Sequence, residues 1–379
     1  MGNQADADVV TATPPLKPAE SLQGIRLNSG WTIEQRIVRP TNASGGHFSV
    51  GYLAARDDGK RGFLKAIDIS DALRSEEPAR ALQDQTEMFN HESTLLDLCK
   101  DCDHIVTAIE AGTIRENTPG NTSPYPIFYI IFELADGDAR VQTDLSRRGD
   151  LAQWLKTLHN VTVGLQQLHS RLIAHQDLKP SNVLYFSDRD SAITTLKKAR
   201  VSDLGRAARR GQNLPRLIEE KKAVGDQKYA PPELLYGNPS DDWARRRFGC
   251  DLYTLGSMIV FFFCGVSMTA LIARHISQAH HWIEWRGFHG DVLPHVRRAF
   301  VSAMDDVERE ITAYFSDRPG LGDEKTKSIS TLMTIIRQLC DPEPELRGDP
   351  RTRRLAPFSL ERYISTFNRL AQLAASRFI

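Results

Sequence analysis

Ten consecutive residues constrain this chain more than any others: His175 to Leu184 read HQDLKPSNVL. His175, Asp177, Lys179 and Asn182 are polar, and the apolar Leu178, Val183 and Leu184 are threaded among them. A solvated loop has no need of those apolar residues, and a core strand does not tolerate so many polar ones. The mixture predicts a loop pinned to a core while it presents polar groups. Upstream, Leu151, Leu155, Leu158, Val161, Leu165 and Leu168 recur at spacings of three and four, the single apolar stripe of a helix. Downstream, Val183, Leu184 and Tyr185 predict a short strand. The polar cluster therefore falls on a turn between a helix and a strand, where a rigid scaffold commonly carries catalytic groups.

The residue types suit one chemistry. A carboxylate at Asp177 can orient a hydroxyl nucleophile and accept its proton. A lysine two residues on can neutralise a phosphate in transfer, and the amide oxygen of Asn182 is a ligand for a hard cation such as magnesium. A second metal ligand is then expected. Val201-Ser202-Asp203-Leu204-Gly205 supplies Asp203 at the end of a predicted strand.

With these residues in hand, the chain resembles the eukaryotic-type (Hanks-type) serine/threonine protein kinases. HQDLKPSN is similar to the catalytic loop of that family, and SDLG to its metal-binding element, with Leu204 in place of the usual phenylalanine. The resemblance implies an α+β, bilobal fold with a small β-rich N-lobe and a larger helical C-lobe. It also implies ATP and Mg2+ as cofactors and a protein hydroxyl as acceptor. Asp177, Lys179 and Asn182 take catalytic roles, and Asn182 and Asp203 hold metal. Upstream, the stretch from Ser44 to Tyr52 stands where the glycine-rich phosphate loop belongs. Gly45 and Gly46 are its candidate nucleotide contacts, and Ser44 and Ser49 replace two motif glycines. Lys65, in the apolar run Gly62 to Ile67, matches the phosphate-binding lysine. Its glutamate partner is Glu92, because Phe89, Leu95 and Leu96 place it beside an apolar helix face, whereas Glu87 lacks the following leucines. Phe132 stands as gatekeeper, and the backbone of Glu133 to Ala135 faces adenine. Glu233 ends the activation segment, and Arg347 is its expected partner. The resemblance runs from about residue 30 to residue 376.

The implied organisation is a Pro-rich disordered tail over 1–22, an N-lobe over 23–135 and a C-lobe over 136–379. The C-lobe includes an extended helical region over 275–348, with helices predicted at Val292–Phe315 and Lys327–Leu339. From Leu255 to Ala273 there is no charge. A run of this length can span a bilayer. Gly256, Ser257, Ser267 and Thr269 dilute it, and the family's buried central helix accounts for it without a membrane. The 48 basic and 48 acidic residues cancel. No global field argues for nucleic acid or an anionic membrane. Five cysteines in 379 residues make no disulfide scaffold. Cys99 and Cys102 read as thiols of a reducing cytoplasm, not as a zinc or redox pair.

Two other functions remain open. A pseudokinase would bind ATP as a scaffold, and a small-molecule kinase of the choline or aminoglycoside type would share the H-x-D-x-x-x-x-N loop. Lys179, the Tyr229–Glu233 element and Asp251–Gly256, which resembles the start of the family's central helix, favour a protein substrate. Control departs from the common pattern. Gln176 stands where many family members carry an arginine that docks a phosphorylated loop, and the span from Arg206 to Lys228 contains no serine or threonine. Its excess of basic residues reads either as a solvated charged loop or as a preference for acidic substrates. An enzyme competent as synthesised, or gated by a partner or its tail, is expected. Asp226 replaces the family's usual threonine and is expected to pair with Lys179, either docking the segment or quenching the site.

Overall fold

The computed structural model describes residues 18–38, 49–115, 117–121, 125–145, 150–187, 196–220 and 225–379. The chain divides into two compact units. One is built from described residues up to Leu82 and from Glu110–Ile131, the other chiefly from Gln83–Ile109 and Phe132–Ile379.

The first unit is organised on an antiparallel meander. β1 (Trp31–Ile37), β2 (Ser49–Arg56) and β3 (Arg61–Asp68) pair in sequence order, with a bulge between Ile33 and Gln35. α1 (Ser70–Leu73) follows; α2 (Pro78–Leu98) belongs from Gln83 onward to the second unit, and β4 (Ala108–Ile114) and β5 (Ile127–Glu133) complete the sheet. The sheet order is β1-β2-β3-β5-β4. Alternation sorts the side chains: Trp31 and Ile33, Tyr52 and Ala54, and Leu64 and Ala66 are fully buried in one cluster with Ile114, Ile127 and Ile131. Residues 18–22, assigned to a disordered tail by composition, instead join this core. Ala19 and Leu22 are fully buried. The Tyr52 hydroxyl donates to the Ala19 carbonyl at 2.7 Å and accepts from the Leu22 amide at 3.3 Å. Two apolar residues and a buried phenol to satisfy outweigh the flanking prolines. Residues 1–17, the rest of that tail, lie outside the described residues.

The second unit is mostly helical. β6 (Gly137–Asp138) and α3 (Ala139–Leu145) lead to α4 (Leu151–His169). Asp150 caps α4, its carboxylate accepting from the amides of Ala152 and Gln153. Then come β7 (Ile173–Ala174), β8 (Val183–Phe186), β9 (Lys198–Val201) and β10 (Ala208–Arg209). They form two small sheets, β10-β7 and β6-β8-β9. α5 (Arg216–Glu219), α6 (Pro232–Leu235), α7 (Trp243–Cys264), α8 (Met268–His275), α9 (His289–Ser316), α10 (Gly322–Leu339) and α11 (Glu361–Ala375) complete it. α11 packs along α4. Both extended-region helices start earlier than their apolar periodicity. Gly290 and Pro294, poor helix formers, hide the first turns of α9. α10 opens on Asp323 and Glu324, which favour a helix N-terminus by charge and carry no apolar signal.

The uncharged run from Leu255 to Ala273 is not one helix. Gly265 ends α7 in a left-handed conformation at φ +69°, and Ser267 caps α8 by accepting from the Ala270 amide. α7 is long and apolar enough to cross a membrane, and 89% of its most apolar window is buried inside the protein. Trp154 of α4 stacks on Phe262 with ring centroids 5.5 Å apart and meets Phe263 edge-on at 5.6 Å. The phenylalanines are thus covered by protein.

Candidate active site

The loop from His175 to Asn182 leaves β7 and enters β8 through a 3-10 turn at Pro180–Asn182. Leu178 is fully buried, and Asp177, Lys179 and Asn182 are each at most 7% exposed. These groups lie together on the loop that the sequence pattern marks out, but the residue that shapes the loop escaped sequence reasoning. Asp251, fully buried on α7, accepts from the amides of His175 at 2.8 Å and Gln176 at 2.7 Å. It also meets His169 Nε2 at 2.9 Å. Gln176 adopts φ +64°, unusual for a residue with a side chain. The two bonds to Asp251 hold that conformation in place. Its signals were an acid just ahead of an uncharged run and the likeness of Asp251–Gly256 to the start of the family's central helix, neither of which tied it to this loop.

Inside the loop, Asn182 Nδ2 donates to the Asp177 carbonyl at 2.8 Å and approaches Asp177 Oδ2 at 3.4 Å. With its nitrogen spent there, the amide oxygen is the end presented to a cation. The Asn182 carbonyl accepts from the Ser202 amide at 2.9 Å, which ties the loop to the residue before Asp203. Asp203 sits at φ +65°. A Cβ added to Gly205 would lie 3.3 Å from Asp203 Oδ1 and 3.4 Å from Glu92 Oε2, so both carboxylates converge on that glycine. Glu92 is 4% exposed, whereas its competitor Glu87 bonds to Gln83 on an exposed part of α2.

Lys179 Nζ lies 3.2 Å from Asp177 Oδ2 and 3.6 Å from Asp226 Oδ2, so the expected Asp226 pairing is present. The Asp226 amide also donates to Asp177 Oδ1 at 2.7 Å. This approach requires Gly225: it sits at φ +86°, and a Cβ would come within 2.7 Å of Asp177 Oδ1. Burial pushes the Asp177 carboxyl pKa up; Lys179 opposes the shift and the charge of Asp203 adds to it.

The remaining predicted positions divide. Lys65 lies on β3 opposite Gly51 of β2, half-buried between the buried Leu64 and Ala66. Phe132 is buried at the end of β5, and Glu133 pairs through its side chain with Arg200. Ala135 is half-buried in the turn into β6. Gly45 and Gly46 lie outside the described residues, as does most of the expected phosphate loop. Glu233 and Arg347 meet as expected, in a two-pronged pair with both N–O distances at 2.7 Å. Among the described residues no three His, Cys, Asp or Glu side chains cluster to hold a metal. A cation here depends on the hard oxygens of Asp203 and Asn182, a donor set that suits Mg2+.

The family model described as "Protein kinase domain" matches residues 44–349. The chain belongs to the protein kinase domain family. It is 29% identical over 150 residues to testis-specific serine/threonine-protein kinase 1 of Mus musculus, covering 36% of this chain and 38% of that protein. Similarity to 3-phosphoinositide-dependent protein kinase 1 of Arabidopsis thaliana is 26% identity over 215 residues, covering 52% and 37%. Similarity to G protein-coupled receptor kinase 2 of Caenorhabditis elegans is 26% over 239 residues, covering 62% and 29%. The chain thus spans less than two fifths of the length of each of these relatives.

Proposed function

We propose that this protein transfers the terminal phosphate of ATP to serine or threonine hydroxyls of protein substrates. The observation that carries this reading is the arrangement at Asp177. Its carboxylate is oriented by the Asp226 amide, neighboured by Lys179 and braced by Asn182, all on a buried loop. Burial makes that carboxylate a better proton acceptor. Asp177 takes the acceptor hydroxyl's proton as the oxygen attacks. Lys179 stabilises the charge on the phosphate in transfer. Magnesium, held by Asn182 and Asp203, supplies neutralisation of the phosphate oxygens when bound. Lys65 and Glu92 keep the roles the resemblance gives them, and Phe132 to Ala135 line the adenine side. Asp226 is read as a docking residue, since its amide seats the segment on Asp177 while its carboxylate shares Lys179.

The substrate preference proposed is for acidic sequences. Arg210 and Lys228 are exposed on the activation segment, whereas Arg216 is engaged by acids of this chain, and Lys221 and Lys222 lie outside the described residues. The cytoplasm is the proposed location, a reading supported by five unpaired cysteines.

The test is incubation with labelled ATP, magnesium and generic protein substrates, followed by mapping of the modified residues. Asp177→Asn preserves shape and removes the proton acceptor. Transfer is expected to fall by about 10²-fold or more, with ATP binding largely kept. Equal turnover in wild type and variant would remove Asp177 from this role. ATP binding without transfer in the wild type would favour a scaffold.

A further inference from the structure

Two residues of α2 bond to the chain that follows Asp203, and a third faces it. Glu92 Oε2 faces Gly205, His91 Nε2 bonds to the Ala207 carbonyl at 2.8 Å, and Asp84 is gripped by Arg216. Positions 84 and 91 are about two helical turns apart on one face, and position 92 stands about 100° further round. The Asp84 contact is the most specific of the three. Arg216 Nε donates to Asp84 Oδ1 at 3.1 Å and its Nη2 to Oδ2, the two-pronged fork that fixes orientation as well as distance. Asp84 is 8% exposed, whereas the positions beside it on the helix are half-buried or exposed. Arg216 opens α5, a single helical turn in the middle of the activation segment.

The same turn also reaches the catalytic loop. Glu219 at its end lies 3.7 Å from Arg247 of α7, and Arg247 donates to the Gln176 side-chain oxygen. Gln176 in turn donates through Nε2 to the Arg206 carbonyl at 2.7 Å. One short turn therefore spans the gap between the helix that carries Glu92 and the loop that carries Asp177. Every link is made by residues as they are synthesised, with no added group.

We propose that Asp84 and Arg216 are a positioning pair: by clamping α2 to the activation segment they set where Glu92 stands relative to Asp203. Neither side chain touches substrate. This inference rests on the phosphotransfer reading for its consequence, but the clamp itself is measurable without catalysis.

The experiment is a double-mutant cycle with Asp84→Asn, Arg216→Gln and the two combined. Phosphate transfer and hydrogen exchange over 84–92 and 205–220 are both read. Each single variant is expected to lower kcat about tenfold, a common size for coupling between sites. The KM for the protein substrate stays unchanged, and the double variant is no worse than the poorer single one. Exchange should quicken over both segments in each single variant. Arg216→Lys, which keeps the charge but loses the fork, should rescue only partly. Losses that multiply in the double variant, or exchange that changes only around the substituted residue, would overturn the proposal. Should Asp84→Asn fail to fold, Arg216→Gln decides, and undisturbed exchange over 84–92 in that variant would refute the clamp. A wild type that transfers no phosphate ends the functional reading instead, and the exchange data alone then judge the pair.

Discussion

Arg347 and Arg247 are both 2% exposed, yet the protein treats them differently. Arg347 donates two bonds to Glu233, a third to the Asp341 carbonyl at 2.8 Å and a fourth to the Gly249 carbonyl at 3.2 Å. Its guanidinium also lies 5.0 Å from the centre of the Tyr253 ring. Burial opposes its charge, but its pKa is raised by the Glu233 carboxylate together with Tyr253 and Cys250. Arg247 has no such partner. It meets the neutral Gln176, and its nearest acid is Glu219, 3.7 Å away with a side chain 60% exposed. Its Nε finds no acceptor among the described residues. Burial lowers its pKa to about 10. The difference teaches that burial alone does not make a charge structural. A matched carboxylate does, and a cation held by dipoles is tolerated for what it connects.

The contrast can be broken by deleting each charge with a shape kept. Arg347→Met leaves Glu233 buried and unpaired, and should cost about 3–5 kcal/mol in urea unfolding. Arg247→Met removes a poorly matched cation and leaves only a neutral amide oxygen without its donor. Its cost should stay near about 1 kcal/mol. Equal losses in the two variants would show that Arg247 is as well compensated as Arg347.

The smallest effect concerns a second cation-capable group with a neutral partner. His91 bonds to a carbonyl, and burial lowers its pKa below the ordinary histidine value. Below pH about 6.5 the unfolded chain takes a proton that the folded protein resists. Stability should therefore fall as pH drops through that value and be insensitive to it above. His104 and His159 shift the same way through burial, so His91→Gln should remove only part of the slope. The readout is the melting temperature followed from about pH 7.5 down to about pH 5.5, across the range in which histidine titrates. An unchanged slope would mean that His91 takes up its proton as readily in the fold as in the unfolded chain.

What could be read beforehand follows the distance along the chain. The loop from His175 to Asn182 is contiguous, so its residue types and the helix before it disclosed both place and chemistry. Glu233 with Arg347, and Asp226 with Lys179, were reachable because a family pattern linked distant positions. The Asp251 bonds and the Arg247–Gln176 contact cross 71 to 76 residues with no periodic or compositional trace. Asp251 was legible only as the start of the central helix, and Arg247 only as the last of three consecutive arginines four residues before it. The Asp84–Arg216 fork spans 132 residues between two otherwise ordinary polar positions, and nothing local distinguishes either partner. The break at Gly265 was hidden for the opposite reason. Apolar continuity across it was so strong that a single left-handed residue, visible as a glycine, carried less weight than its neighbours.

The packing of α11 on α4 has a consequence for how the protein is made. His159 on α4 meets the Ile364 carbonyl on α11 across 205 residues, and Tyr363, Phe367 and Leu370 of α11 are buried. On a ribosome adding about 5–20 residues per second, α4 is finished roughly ten seconds or more before its cover is made. During that interval an apolar helix face stands open in the nascent chain. The second unit is therefore sealed from its far end late in synthesis, and the growing polypeptide passes through a stage in which a chaperone, or a neighbouring nascent chain, has access to a surface that the finished protein never shows.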